Sequence, residues 1–189
     1  MRFKNYSLYR LCSSMFFGLS TGSIFIVYEP LKPMIYSIGG ILLAAGTMII
    51  ASQYRKLMNK YALFIILFAV EFITLAIVLT FLILGKSLLS ALIIYICYQI
   101  TFLFGNYVIR VETVVLKRTK LYSLLDIFKQ TGYLLGLGGA FVYYKAIEIN
   151  GISDKIEQVY FLHYILVALQ FIVIFLLIIS FVRKREIKL

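Results

Sequence analysis

A chain of 189 residues in which 62% are apolar or aromatic and 14% are charged departs from the roughly 25% charged residues of soluble domains. Its net charge of +11 falls at the ends of long apolar runs, which excludes a nucleic-acid-binding stripe and points to orientation in a membrane. Cys12 and Cys97 form no Cys-x-x-Cys pair, and the single His163 has no second ligand near it, so no disulfide framework, metal site or cofactor is expected.

The runs carry no polar face. A helix that is apolar all round either faces lipid or is wholly buried, and six such helices cannot all be the centre of so short a chain. The expected fold class is all-α, a polytopic membrane protein with six transmembrane helices in one domain, 1–189. A span needs about 20 mostly apolar residues. The first covers about 11–28 and stops at Glu29-Pro30. A cleaved signal peptide is the rival reading, but Met15 to Tyr28 lacks a small-x-small exit, so this helix is expected to be retained. The second, about 33–53, opens on Pro33, which suits the first turn of a helix. The third covers about 61–84 and ends at Gly85-Lys86-Ser87; the fourth covers about 88–109. The fifth, about 122–144, is less apolar and Gly-rich, and the sixth covers about 159–182.

The basic residues alternate across these spans. Arg2, Lys4 and Arg10 precede the first, and Arg55, Lys56 and Lys60 lie between the second and third. Arg110, Lys117, Arg118, Lys120 and Lys129 flank the link from fourth to fifth, and Arg183, Lys184, Arg185 and Lys188 form the tail. The other side has only Lys32, Lys86, Lys145 and Lys155. Positive loops stay cytoplasmic, so both termini are expected in the cytoplasm of a bacterial cytoplasmic (inner) membrane. The longest outer loop is expected at Lys145 to Gln158.

Polar residues inside a span are costly and usually face protein or water. Tyr95, Gln99, Phe102, Asn106 and Arg110 fall at spacings of three and four on one face of the fourth helix. They either line a solute pathway or make interhelical hydrogen bonds. In the first helix Ser14, Thr21 and Tyr28 recur every seven residues, with Ser13 and Ser20 beside them; small hydroxyls commonly bond their own backbone. Glu71 is the one acid deep in an apolar run. It fits proton coupling or a neutral, hydrogen-bonded structural role. Glu112, Lys117, Arg118, Asp126 and Lys129 fit either a cytoplasmic ion-pair cluster or solvated interface charge.

Small residues four apart mark close helix contacts: Gly18 and Gly22, Gly40 and Ala44, and the row Gly132, Gly136, Ala140. Enzyme signals are absent, with no Gly-x-Ser-x-Gly, His-Glu-x-x-His or phosphate loop, so no catalytic residue is assigned. The short loops leave no room for the long cytoplasmic helix extensions of an ABC exporter.

The stretch FGNYVIRVETVVLKRTKLYSLLDIFKQTGYLLGLGGA, with a charged link after the fourth helix and a Gly-rich fifth, resembles one half of a major facilitator superfamily transporter. That resemblance covers the whole chain in topology. It implies two inverted three-helix repeats and a cell-membrane transporter half that moves a small-molecule solute by alternating access. Such a half works as a dimer or with a second six-helix half. Helices two and five lie at the contact between bundles in that family, which would place the Gly40/Ala44 and Gly132/Gly136/Ala140 rows there. The link ASQYRKLMNK between helices two and three keeps basic residues but lacks the Gly and Asp of the family's signature. The alternative is a non-transporting membrane subunit that binds or scaffolds a partner protein. Lipid is the solvent in either case, and no nucleic acid is expected.

Overall fold

The computed structural model describes residues 1–182; the tail residues Arg183, Lys184, Arg185 and Lys188 lie outside the described residues. The helices in chain order are α1 (Phe3–Tyr28), α2 (Pro33–Ser52), α3 (Tyr54–Leu57), α4 (Lys60–Leu84), α5 (Leu88–Leu103), α6 (Gly105–Leu116), α7 (Thr119–Ile149) and α8 (Lys155–Phe181). Five stretches are long and apolar enough to cross a bilayer: α1, α2, α4, the α5–α6 pair from Leu88 to Leu116, and α8. The protein is an all-α integral membrane protein.

The helix ends follow local chemistry. Pro33 opens α2 at a position where its missing N–H is no loss. The Asn59 side chain accepts from the Tyr61 and Ala62 N–H groups at 3.0 and 2.9 Å, starting α4. Ser87 accepts from Ser90 N–H at 3.1 Å and starts α5, and Asp154 accepts from Glu157 N–H at 3.1 Å and starts α8. Such caps satisfy the free N–H groups of a first turn. Gly85 ends α4 at φ 59°, and Lys117 ends α6 in the left-handed region at φ 57°.

Three boundaries differ from the hydropathy reading. α1 begins at Phe3, so Arg10 belongs to a helix and not to a tail. The fourth span breaks at Phe104 into α5 and α6. α7 runs on to Ile149, so the expected outer loop Lys145 to Gln158 is mostly helical, and only residues 150–154 lie between α7 and α8.

Packing runs in a row. α1 lies between α7 and α8; α8 packs on α4, α4 on α5, and α5 on α2. The closest approach is α1 on α7. A Cβ at Gly132 would run into the Leu11 carbonyl oxygen, one at Gly136 into the Met15 carbonyl oxygen, and one at Gly18 into the Tyr133 carbonyl oxygen. Glycine there lets the two backbones touch, the usual device for association where lipid tails give no hydrophobic drive. Ala140 continues the buried row, and a Cβ at Gly22 would meet the Tyr144 ring at an ordinary contact distance of 3.6 Å. At the far end of the row, α2 buries only Gly39. Its Met34, Ile41 and Met48 are 70%, 70% and 73% exposed.

Candidate functional site

The first half of α1 carries Tyr6, Tyr9, Arg10 and Ser13 at helical spacings of three and four, one face of the helix. That face meets two buried acids. The first is Glu112 on α6, whose side chain is fully buried. The Tyr6 hydroxyl donates to its Oε1 at 2.6 Å. Arg10 Nε forms an ion pair with the same oxygen at 3.1 Å. Lys129 Nζ, from α7, donates to Oε2 at 2.7 Å and to Asp126 Oδ1 at 3.1 Å. Two acids and two bases therefore balance. A buried charge persists only when paired and hydrogen-bonded in this way.

Of the expected cytoplasmic cluster, Glu112, Asp126 and Lys129 come together; Lys117 and Arg118 do not. Those two form the exposed corner between α6 and α7, where Lys117 ends α6 in the left-handed region, and neither pairs with Glu112. Arg10 takes their place. Its role was hidden because basic residues near a terminus read as orientation charge.

The second acid is Glu71 on α4, 4% exposed. Tyr9 OH donates to its Oε1 at 2.6 Å, and Ser13 Oγ to the same atom at 3.3 Å. From α8, Gln170 Nε2 donates to Oε2 at 2.8 Å and to the Glu71 backbone oxygen at 2.9 Å. Thr74, one turn on, bonds its own backbone at Val70 O instead. The Tyr6 and Tyr9 rings lie 5.6 Å apart, so the two acid sites form one polar seam along α1. Gln170 stands alone in the apolar run of α8. That isolation is a signal of a buried partner, and sequence reasoning passed over it.

The stripe on the fourth span separates into two pairs. Tyr95 and Gln99 line an apolar cavity of about 440 Å³ between α2 and α5; the Tyr95 hydroxyl donates to the Tyr36 carbonyl oxygen at 3.3 Å. Asn106 and Arg110 line a second cavity of about 430 Å³ with Thr47 and Tyr54, and the Arg110 guanidinium sits 5.8 Å above the Tyr54 ring. Leu103 borders both cavities. Phe102 leaves the stripe: it is 48% exposed and stacks on Tyr98 at 5.8 Å.

The remaining small-residue positions divide. Gly18, Gly132, Gly136 and Ala140 are occupied by the α1–α7 contact. The expectation that the α7 row contacts a second bundle is therefore corrected, because the α1 backbone already fills it. Gly40 has nothing within 4 Å, and Ala44 is exposed. At the opposite end of the bundle, Glu29 pairs with Lys86 and joins the α1–α2 turn to the α4–α5 turn. Hydrogen bonding from the Lys86 ammonium holds the Glu29 carboxyl below the usual carboxylate range. His163 is buried, with Nδ1 2.7 Å from Val159 O and its ring stacked on Phe81 at 4.3 Å; both partners are structural. Neither a family model, nor a curated protein, nor a solved structure matches the chain.

Proposed function

We propose that the chain is a six-span transporter half that moves a small solute by alternating access, paired with a second copy or a second six-helix half. The observation that carries this is the order of helix packing. Counting α5–α6 as one span and α7 as another gives two groups of three: α1, α2, α4 and α5–α6, α7, α8. Exchanging the groups turns the α1–α7 contact into α5–α2, and α1–α8 into α5–α4, and leaves α4–α8 as itself. All of these contacts are present. Inverted three-helix repeats would pack in this order, and such repeats characterise alternating-access bundles. α7 is long enough to be the remaining span: its 31 residues rise about 46 Å at ~1.5 Å each, against a hydrocarbon core of ~30 Å. Its lower apolarity comes from charged and amide side chains, among them Asp126, Lys129 and Gln130.

In this reading both termini are cytoplasmic, the basic loops being held inside a bacterial inner membrane. The pairing face is α2, where Gly40 and Ala44 lie open. The same open face supports the alternative, a scaffold subunit that binds a partner without transport.

Crosslinking tests the pairing. Single cysteines at Gly40 and Ala44, in a chain lacking Cys12 and Cys97, are treated in intact membranes with a short bismaleimide. A covalent adduct with a second copy or with one partner of similar size is expected. A chain that stays monomeric at both positions overturns the paired-half reading.

A further inference from the structure

We propose that Glu71 and Gln170 form a proton-binding pair whose charge state sets how firmly α1 is held to α4. The proposal deepens the transporter reading by naming the coupling ion. It depends on that reading only for the use to which the proton is put.

The two helices are not packed closely on each other. α1 lies on α7 and α8, while α4 lies on α8, α5 and α6. Glu71 reaches across, and its Oε1 takes the Tyr9 and Ser13 hydroxyls of α1. Hydrogen bonds to an ionised acceptor are roughly twice as strong as neutral ones. Loss of the charge on Glu71 therefore loosens the polar link from α4 to α1.

Gln170 can serve both charge states. It is 0% exposed, and its Nε2 donates to Glu71 while its Oε1 has no partner among the described residues. A buried acceptor without a donor is uncommon and calls for an explanation. An amide presents a donor on one side and an acceptor on the other. With Glu71 ionised, Nε2–H points at Oε2. When a proton from water settles on Oε2, a half-turn of the amide gives up both Nε2 bonds, to Oε2 and to the Glu71 backbone oxygen, and brings Oε1 to face Oε2, so that Oε2–H donates to Oε1. One O–H bond forms on Glu71, one negative charge is removed, and no other covalent bond changes.

The surroundings favour a proton over a metal cation. The oxygens and donors around Glu71 already stand 2.6–3.3 Å apart, so a metal ion must displace them, whereas a proton adds no volume. The titratable and charged groups acting on Glu71 are Tyr6, Tyr9 and Arg10 from α1, and Arg10 is engaged by Glu112. α8 presents the uncharged Gln170, and α5 and α6 place no hydrogen bond or ion pair on Glu71 among the described residues.

The test uses the full chain in lipid nanodiscs and infrared difference spectra between alkaline and acid buffer. A carboxylic-acid C=O component that Glu71→Gln abolishes is expected. In Gln170→Leu the same component should persist at higher frequency, because the O–H has lost its acceptor. The proposal is overturned if Glu71→Gln removes no component, or if Gln170→Leu leaves its frequency unchanged. It also fails if sodium replacing choline at constant pH displaces the component, which would assign a metal cation. Transmission to α1 is read at one pH from alkylation of Cys12 by N-ethylmaleimide, in a chain lacking Cys97. Glu71→Gln should speed it about threefold, the effect of weakening one hydrogen bond; an unchanged rate overturns the link. Loss of these signals with the α2 crosslink retained removes the proton pair alone, and the converse removes the pairing alone.

Discussion

Lys129 is the side chain whose truncation should be felt most at the seam. Lys129→Met leaves Glu112 with Arg10 as its remaining cation and removes one charge-assisted hydrogen bond to a buried acid, a change expected to cost about 1.5–3 kcal/mol. Adding Glu112→Gln to it should cost less than Glu112→Gln costs the wild type, because the Lys129 contact is already gone and only the Arg10 pairing remains to be lost. Thermal unfolding in detergent measures both; a double variant as unstable as the sum of the singles would show that the two residues do not act as a pair. At the other end of the bundle, the Glu29–Lys86 link is set by pH. The Glu29 carboxyl is lowered in the folded state, so its contribution is complete above the ordinary carboxylate range and is lost as pH falls through the lowered value. Acid titration of the wild type against Lys86→Met should therefore converge at low pH and separate above it. Curves that stay equally separated throughout would show that the ion pair contributes nothing.

The α1–α7 contact is an element held by absence of side chains. Gly136→Leu drives a side chain into the Met15 carbonyl and the Gly18 backbone. An overpacking cost of about 1–3 kcal/mol or more is expected. Gly40→Leu meets nothing within 4 Å and should leave the unfolding temperature of the monomer unchanged. Equal effects would refute the assignment of the glycine row to the interior of the bundle. The fourth span makes a separate prediction. Single cysteines at Asn106 and Gln99 differ in setting, Asn106 being exposed beside Arg110 and Gln99 partly covered in an apolar groove. A charged thiol reagent should label Asn106→Cys and spare Gln99→Cys; equal labelling would mean one continuous water-filled path. Spans of this kind are legible in sequence because hydropathy, caps and breakers act over a few residues: Pro33 opens a helix and Gly85 ends one wherever the bundle places them. The polar seam was half legible. Glu71 and Glu112 stand out as acids, but Tyr9 and Gln170 are 62 and 99 residues from Glu71, and no local pattern brings them together.

For the molecule as a whole, charge distribution predicts orientation. Reporter fusions before Phe3 and within residues 150–154 should report opposite sides, the first cytoplasmic; the same side for both would remove one span from the bundle. The five apolar stretches were legible from composition alone, while the start of α1 was not. Residues 3–10 carry Lys4, Asn5 and Arg10, a tail by composition that becomes helix only because Glu112 and Glu71 receive its polar face. That dependence has a consequence for biogenesis. α1 leaves the ribosome before its partners on α6, α7 and α8. At ~5–20 residues per second, the roughly 120 residues between Leu11 and Gly132 take about 6–24 s to synthesise. During that interval Arg10 has no counter-charge and the glycine groove of α1 has no occupant. Helix α1 must therefore wait at the insertion machinery or at the lipid headgroups, and the bundle closes around it only when α7 and α8 arrive.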